Sequence, residues 1–166
     1  MSTFVSVGNG HQPFTRLLDA VEALAPTLPH PVVVQHGHTP FASTQCMCVD
    51  FMPMDAFIKH VGSASLVIMH AGVGSILSAV QAAKRPIVVP RLAAMNEIID
   101  DHQLELAIAL ADAGRVLLVE DMAQLGAAVI KAVNGCGGGS AGEDGATLVE
   151  SVRAALRRNG KSGFST

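Results

Sequence analysis

The sequence predicts an α/β fold, a single Rossmann-like parallel sheet flanked by helices. Three observations predict it. Short apolar runs alternate with longer segments of helical period, the pattern that βαβ units produce. Glycine-rich or polar turns follow several of those runs, where a strand hands over to a helix. The chain has 166 residues, 49 % of them hydrophobic and 15 % charged, enough for one core-rich domain.

The elements follow in order. Thr3–Val7 reads as the first strand and ends in Gly8-Asn9-Gly10. Pro13 suits a first helical turn, and Phe14, Leu17, Leu18, Val21 and Leu24 then mark one apolar face, closed by Pro26 and Pro29. Val32–Gln35 is a second strand running into His36-Gly37-His38. Met47–Phe51 is a third, followed by a short helix from Pro53 and Met54 through His60. Leu66–Met69 is an apolar strand ending at His70. The glycine turn after it leads into a helix over Ser75–Ala83. Pro86–Val89 is the next strand, Arg91–Asp100 a loop, and Asp101–Ala113 a helix closed by Gly114. Val116–Val119 is the last strand and Met122–Val133 a helix. A Gly/Ser-rich linker over 134–146 has no periodicity, and Thr147–Arg158 is an amphipathic helix before a short tail. The expected division is therefore a domain over 1–133, a linker over 134–146 and a C-terminal helix with its tail over 147–166.

Three loops lie at the carboxyl ends of the expected strands, the edge where open α/β sheets bind ligands. Gly8, Asn9 and Gly10 can bring main-chain amides close to a diphosphate, although Gly-Asn-Gly is also an ordinary tight turn. His70-Ala71-Gly72-Val73-Gly74-Ser75 joins strand to helix. It places Ser75 near a helix N-terminus, whose dipole favours phosphate; the bland alternative is a Ser cap with no ligand. Asn96, Glu97, Asp101, His102 and Gln103 supply the donors and acceptors that sugar hydroxyls need. Asp101 is expected to cap the helix, with His102 and Gln103 in its first turn. A solvated polar loop with a capped helix is the alternative here.

Other chemistries fit poorly. A net charge of −3, no Trp or Tyr and only six Phe give neither a basic footprint nor a stacking surface for nucleic acid. Cys46, Cys48 and Cys136 form no CxxC pair and read as reduced thiols. His36 and His38 lie two apart in a turn with no third ligand at metal spacing, so no metal is expected. Ser75 is preceded by G-x-G, not set within G-x-S-x-G, so no hydrolase nucleophile elbow is read. No apolar run approaches the ~20 residues of a membrane span, and no basic segment of signal-peptide type opens the chain.

Five stretches carry a family resemblance: Phe4-Val5-Ser6-Val7-Gly8, Val34-Gln35-His36-Gly37, His70 through Leu77, Pro86 through Arg91, and Asp101-His102-Gln103-Leu104-Glu105-Leu106-Ala107. In this order, over roughly Phe4 to Val133, they resemble the C-terminal domain of glycosyltransferase family 28, the MurG-like group with the GT-B fold. The similarity is greatest to stand-alone forms of that domain. These include the donor-binding subunit of the eukaryotic UDP-N-acetylglucosamine transferase of dolichol-linked glycan assembly, and bacterial PssE-type exopolysaccharide subunits. The segment H-A-G-x-G-S combined with the downstream D-H-Q-x-x-x-A is the specific part.

The resemblance implies roles. Gly8, Asn9, Gly10, Gly72, Val73, Gly74 and Ser75 would face the diphosphate. Asn96, Glu97, Asp101, His102 and Gln103 would hold the sugar, and Gln35, His36 and Gly37 would border the base pocket. Where many relatives carry a carboxylate for the ribose hydroxyls, this chain has Ser78, a weaker partner than a bidentate carboxylate. No cofactor or nucleotide-phosphate metal is implied; UDP-sugar is the substrate. The catalytic base would belong to a separate, membrane-anchored acceptor-binding subunit that recruits this cytoplasmic chain to the inner face of the membrane. The helix 147–158 could dock onto that partner. The expected function is then the donor subunit of a two-component hexosyltransferase, inactive without its partner and serving bacterial exopolysaccharide synthesis. A non-catalytic nucleotide-sugar-binding or regulatory module is the alternative.

Overall fold

A computed structural model describes residues 1–99 and 101–135, together with residues 150, 153, 154 and 157. Residues 150, 153, 154 and 157 are helical and fall within the expected C-terminal helix; the rest of that helix and nearly all of the expected linker, with Asp100 and Cys136, lie outside the described residues.

Six strands form one sheet, all parallel: β1 (Thr3–Ser6), β2 (Val32–Gln35), β3 (Met47–Val49), β4 (Leu66–His70), β5 (Ile87–Val89) and β6 (Leu117–Leu118), in the order β3-β2-β1-β4-β5-β6. The helices are α1 (Thr15–Leu24), α2 (Met54–Ser63), α3 (Val73–Gln81), α4 (His102–Asp112) and α5 (Leu125–Gly135). Alternation along each strand divides the core in two. Phe4, Val33, Val67, Met69 and Val88 face α2, α3 and α4, meeting Phe57, Val61, Ile76, Ala79, Leu106 and Leu110. Val5, Val7, Val34, Ile68, Ile87 and Val89 face α1 and α5, meeting Leu17, Leu18, Val21, Leu125 and Val129. Since both faces of the sheet are covered, β2 and β4 read as apolar runs up to their last residues, Gln35 and His70.

Element identities match the sequence reading, while several ends shift for tertiary reasons. α1 starts at Thr15, not at Pro13, because Phe14 is drawn into the core and its amide donates to the hydroxyl of Thr39 from a distant loop (3.0 Å). β3 stops at Val49, beyond which the Phe51 amide bonds the Asp50 side chain (2.8 Å) and the Asp50 carbonyl accepts from Gly37 (2.9 Å). α2 continues to Ser63. The loop after β5 contains a 3-10 turn over Ala93–Met95, ended by Asn96 in the left-handed region at φ 55°. Asparagine tolerates that region better than most residues. Another 3-10 turn, Met122–Gln124, precedes α5, and Asp121 caps it by accepting from Ala123 (2.9 Å).

Candidate functional site

The chain's route through the sheet creates a crevice. β1 exits toward α1 on one face, and its neighbour β4 exits toward α3 on the other. Their loops diverge, as at the switch point of any doubly wound sheet. At the carboxyl edge of the strands lies a cleft of about 300 Å³, lined by Ser6, Gly8, Asn9, Gln35, Met52, Met54, Phe57, His70, Gly72, Gly74, Ser75 and Ser78.

The glycine-turn wall is the start of α3. The helix begins at Val73 with Gly72 in the half-in flanking position and no side-chain cap, so Ser75 is its third residue and does not cap it. The first amides of a helix have no intrahelical acceptor, and no side chain among the described residues takes one up, so the amides of Val73, Gly74 and Ser75 are placed to receive an anion. Ser78 lies one turn further on, with its hydroxyl donating to the Gly74 carbonyl (2.9 Å).

The floor is His70. Its imidazole is wedged between the two glycine turns: a β-carbon on Gly8 or on Gly72 would overlap the ring. Gly8 also stands at φ 75°, a conformation that side chains resist. Both glycines are therefore required by the protein's own packing. Gly74 differs: it lines the cleft, and a β-carbon there would meet nothing within 4 Å among the described residues. Burial, and secondarily the charge of Arg91, push the His70 pKa down from 6.5 to about 4, against a weaker opposing pull from the Ser6 backbone. The ring is neutral at physiological pH.

Beside it, the Ser6 hydroxyl donates to Gln35 Oε1 (2.9 Å) and accepts from the Gly8 amide (3.3 Å). This ties the ends of β1 and β2 together beneath the cleft. Met52, Met54 and Phe57 supply an apolar end.

The structure gathers Gly8, Asn9, Gln35, Gly72, Gly74, Ser75 and Ser78 around one cleft. Gly10 and Val73 sit in the same two turns without lining it. His36 and Gly37 also stand outside: the His36 ring bonds the Thr39 carbonyl (2.9 Å), and Gly37, at φ 57°, backs onto the Gly8 carbonyl. The third loop is arranged differently from the sequence reading. Glu97 is only 4 % exposed, and its carboxylate accepts from Arg16 Nε (2.7 Å), Arg16 Nη2 (3.1 Å) and the Leu92 amide (3.0 Å). Those bonds occupy it with protein partners. Asp101 precedes α4 but does not cap it; its side chain accepts from the Ala93 amide (3.0 Å). Asn96 and His102 are exposed, and Gln103 follows His102 in the first turn of α4 with a buried Oε1 that has no hydrogen-bond partner among the described residues.

Sequence reasoning missed Ser6, Met52, Met54, Phe57 and the floor role of His70. The run before Gly8 and the register that sets Ser6 beside Gln35 could have flagged the first. Nothing in the string placed the others. Among the described residues no group of three or more His, Cys, Asp or Glu is placed to hold a metal ion, and no helix is long and apolar enough to cross a membrane.

The family model described as "Glycosyltransferase family 28 C-terminal domain" matches residues 4–135. No curated protein matches the chain at a significant level. Among solved structures, the chain is similar to a glycotransferase of kitacinnamycin, with a TM-score of 0.63 and 18 % identity over 92 % of this chain and 39 % of that one. It also aligns with the glycosyltransferase SnogD from Streptomyces nogalater, at a TM-score of 0.44 and 15 % identity, over 97 % of this chain and 44 % of that one. The chain thus spans less than half the length of either.

Proposed function

The chain belongs to the glycosyltransferase family 28 C-terminal domain family, and from that premise we propose that it is the donor-binding unit of a glycosyltransferase, holding a UDP-sugar in the cleft between β1 and β4. The observation that carries this is the convergence of two glycine turns and the uncapped start of α3 on a cleft with an apolar end. The amides of Val73–Ser75 and the α3 dipole would receive the diphosphate and stabilise negative charge as UDP departs. Ser78, one turn along, would meet the ribose. Met52, Met54 and Phe57 would border the base, with Gln35 behind them. Gln103, whose amide oxygen has no partner among the described residues, is the best remaining candidate for the sugar.

The cleft is at the small end of the ~300–1,000 Å³ typical of small-molecule sites. In the proposed arrangement a second unit closes over the donor and brings the acceptor with its base. In this reading the second unit is a membrane-anchored acceptor-binding subunit. The sugar is a hexose, the acceptor a lipid-linked or polysaccharide chain, and the setting bacterial exopolysaccharide synthesis of the PssE type.

Calorimetric titration of the full chain with UDP and a panel of UDP-sugars tests the site. Saturable binding is expected; no binding by any uridine diphosphate would reject the reading. Coexpression with a candidate acceptor subunit tests the two-part arrangement. Transfer from labelled UDP-sugar should require both chains. Donor binding without transfer in any pairing would instead mark a nucleotide-sugar-binding module.

A further inference from the structure

Arg91 follows β5 and lines no part of the cleft, yet it is 2 % exposed and crosses the sheet edge to the β1 loop. Its Nη2 donates to the Val7 carbonyl (2.8 Å), and its Nη1 donates to the Gln12 carbonyl (2.6 Å) and to the Glu97 carbonyl (3.0 Å). Val7 and Gln12 are the residues on either end of the Gly8–Gln12 turn. The two arms of one planar group therefore grip that turn at its entry and its last residue, while the third bond fixes the guanidinium to its own loop. Phe14 supports it from below, with the guanidinium carbon 4.8 Å from the ring centroid. Gly10 packs against the fork: a β-carbon there would stand 3.3 Å from Arg91 Cζ. The loop bearing Arg91 is itself anchored by the pair between Arg16 and Glu97.

We propose that Arg91 is a positioning residue of the donor site, its guanidinium fork bracketing the Gly8–Gln12 turn and so fixing where the Gly8 and Asn9 backbone stands at the cleft. It touches no ligand; it acts through the turn. Two of the three carbonyls are reached by arms held at a fixed separation in one plane. Lysine, a single charge on a flexible stem, cannot hold both ends at that spacing. The proposal rests on the donor-site reading for its consequence in binding, but not for its consequence in the turn.

The test uses the full chain labelled with nitrogen-15, following amide resonances and UDP affinity in Arg91→Lys and Gly10→Ala. Arg91→Lys keeps the charge and loses the fork. Gly10→Ala keeps Arg91 and presses a methyl against it, which preserves the test should the first variant fail to fold. Each is expected to shift or broaden the Gly8, Asn9 and Gly10 amides, leave the Val73–Ser75 amides in place, and weaken UDP at least tenfold below the unfolding temperature. UDP affinity within twofold of the parent with the turn amides unmoved would overturn the proposal. So would weaker binding with the turn amides in place, because Arg91 would then act by a route other than the turn. If the parent chain binds no UDP, the donor reading falls, and the positioning claim is decided by the turn amides alone.

Discussion

The imidazole of His70 occupies the space that a β-carbon on Gly72 would need, so the glycine after β4 is dictated by a side chain two positions before it. The same ring excludes a side chain at Gly8, across the crevice. One histidine thus accounts for two of the glycines that resemble a phosphate-binding signature. It also separates glycines required by packing from those that only a ligand would require.

Gly72→Ala should cost about 1–3 kcal/mol of stability, the usual range for forcing atoms into a filled site. Urea unfolding checks this. In a His70→Ala background the same substitution should cost less, and strict additivity of the two changes would show that the ring is not what Gly72 accommodates.

Gly74→Ala should behave in the opposite way. Its β-carbon meets no described neighbour and it sits in the first turn of α3, so stability should hold or rise by roughly 0.5–1 kcal/mol, as alanine favours a helix over glycine. UDP affinity should fall at least tenfold, because the new methyl enters the space assigned to the diphosphate. Unchanged affinity by calorimetry would remove the α3 start from the binding site.

Stability should decline with acid in a window set by His70. Its pKa in the folded chain, about 4, lies below its ordinary 6.5. Between those values the unfolded chain takes up a proton that the folded chain refuses. The stability is complete above pH 6.5, is lost as the pH falls toward 4, and reaches a plateau below it. The loss from this one group is at most of order 3 kcal/mol. His70→Asn should flatten that part of the profile in denaturation series taken at successive pH values. A variant profile parallel to the parent's would assign the acid sensitivity elsewhere.

Glu97→Gln should weaken the fold by about 2–4 kcal/mol, because it leaves the largely buried Arg16 guanidinium without its countercharge. UDP and UDP-sugar binding should weaken equally, if at all. Selective loss of the sugar-bearing ligand would restore Glu97 to the sugar-binding role that its sequence position suggests. Gln103→Ala is the matched variant in which that selective loss is expected.

Ser78→Glu would place a carboxylate one turn into α3 at the edge of the cleft, where two ribose hydroxyls could share it. UDP should bind about fivefold more tightly, the difference between a neutral and a charge-assisted hydrogen bond. The gain should vanish with 2′-deoxy-UDP. An equal gain with both nucleotides would mean that the ribose is not at Ser78.

The sheet was legible because its strands are short, β-branched and flanked by turns. Val32–Gln35 agrees with the structure to the residue, and Leu66–Met69 falls short only by His70. Helix starts were less legible, because the groups that settle them come from elsewhere in the chain. Ser75 has the composition of a cap, yet α3 begins two residues earlier; Asp101 has it too, yet its oxygen goes to Ala93. The site was half legible. Glycine turns announce themselves, but an acid in a polar loop looks the same whether it meets solvent or a partner, and the partner of Glu97 is 81 positions away. The apolar end of the cleft was hidden for a related reason. Met52, Met54 and Phe57 read as a strand exit and a helix start, and only the packing of α2 against α3 and against Phe4 of β1 brings them to the crevice.

The hollow itself originates in the path of the main chain, and these side chains only line it. It opens because β1 and β4 lie side by side while their following segments depart to opposite layers. A gap made by the path of the main chain belongs to the topology, and the fold is shared with a neighbour of 18 % identity that aligns over 92 % of this chain. Changes along its rim can alter what lodges there without having to rebuild the recess.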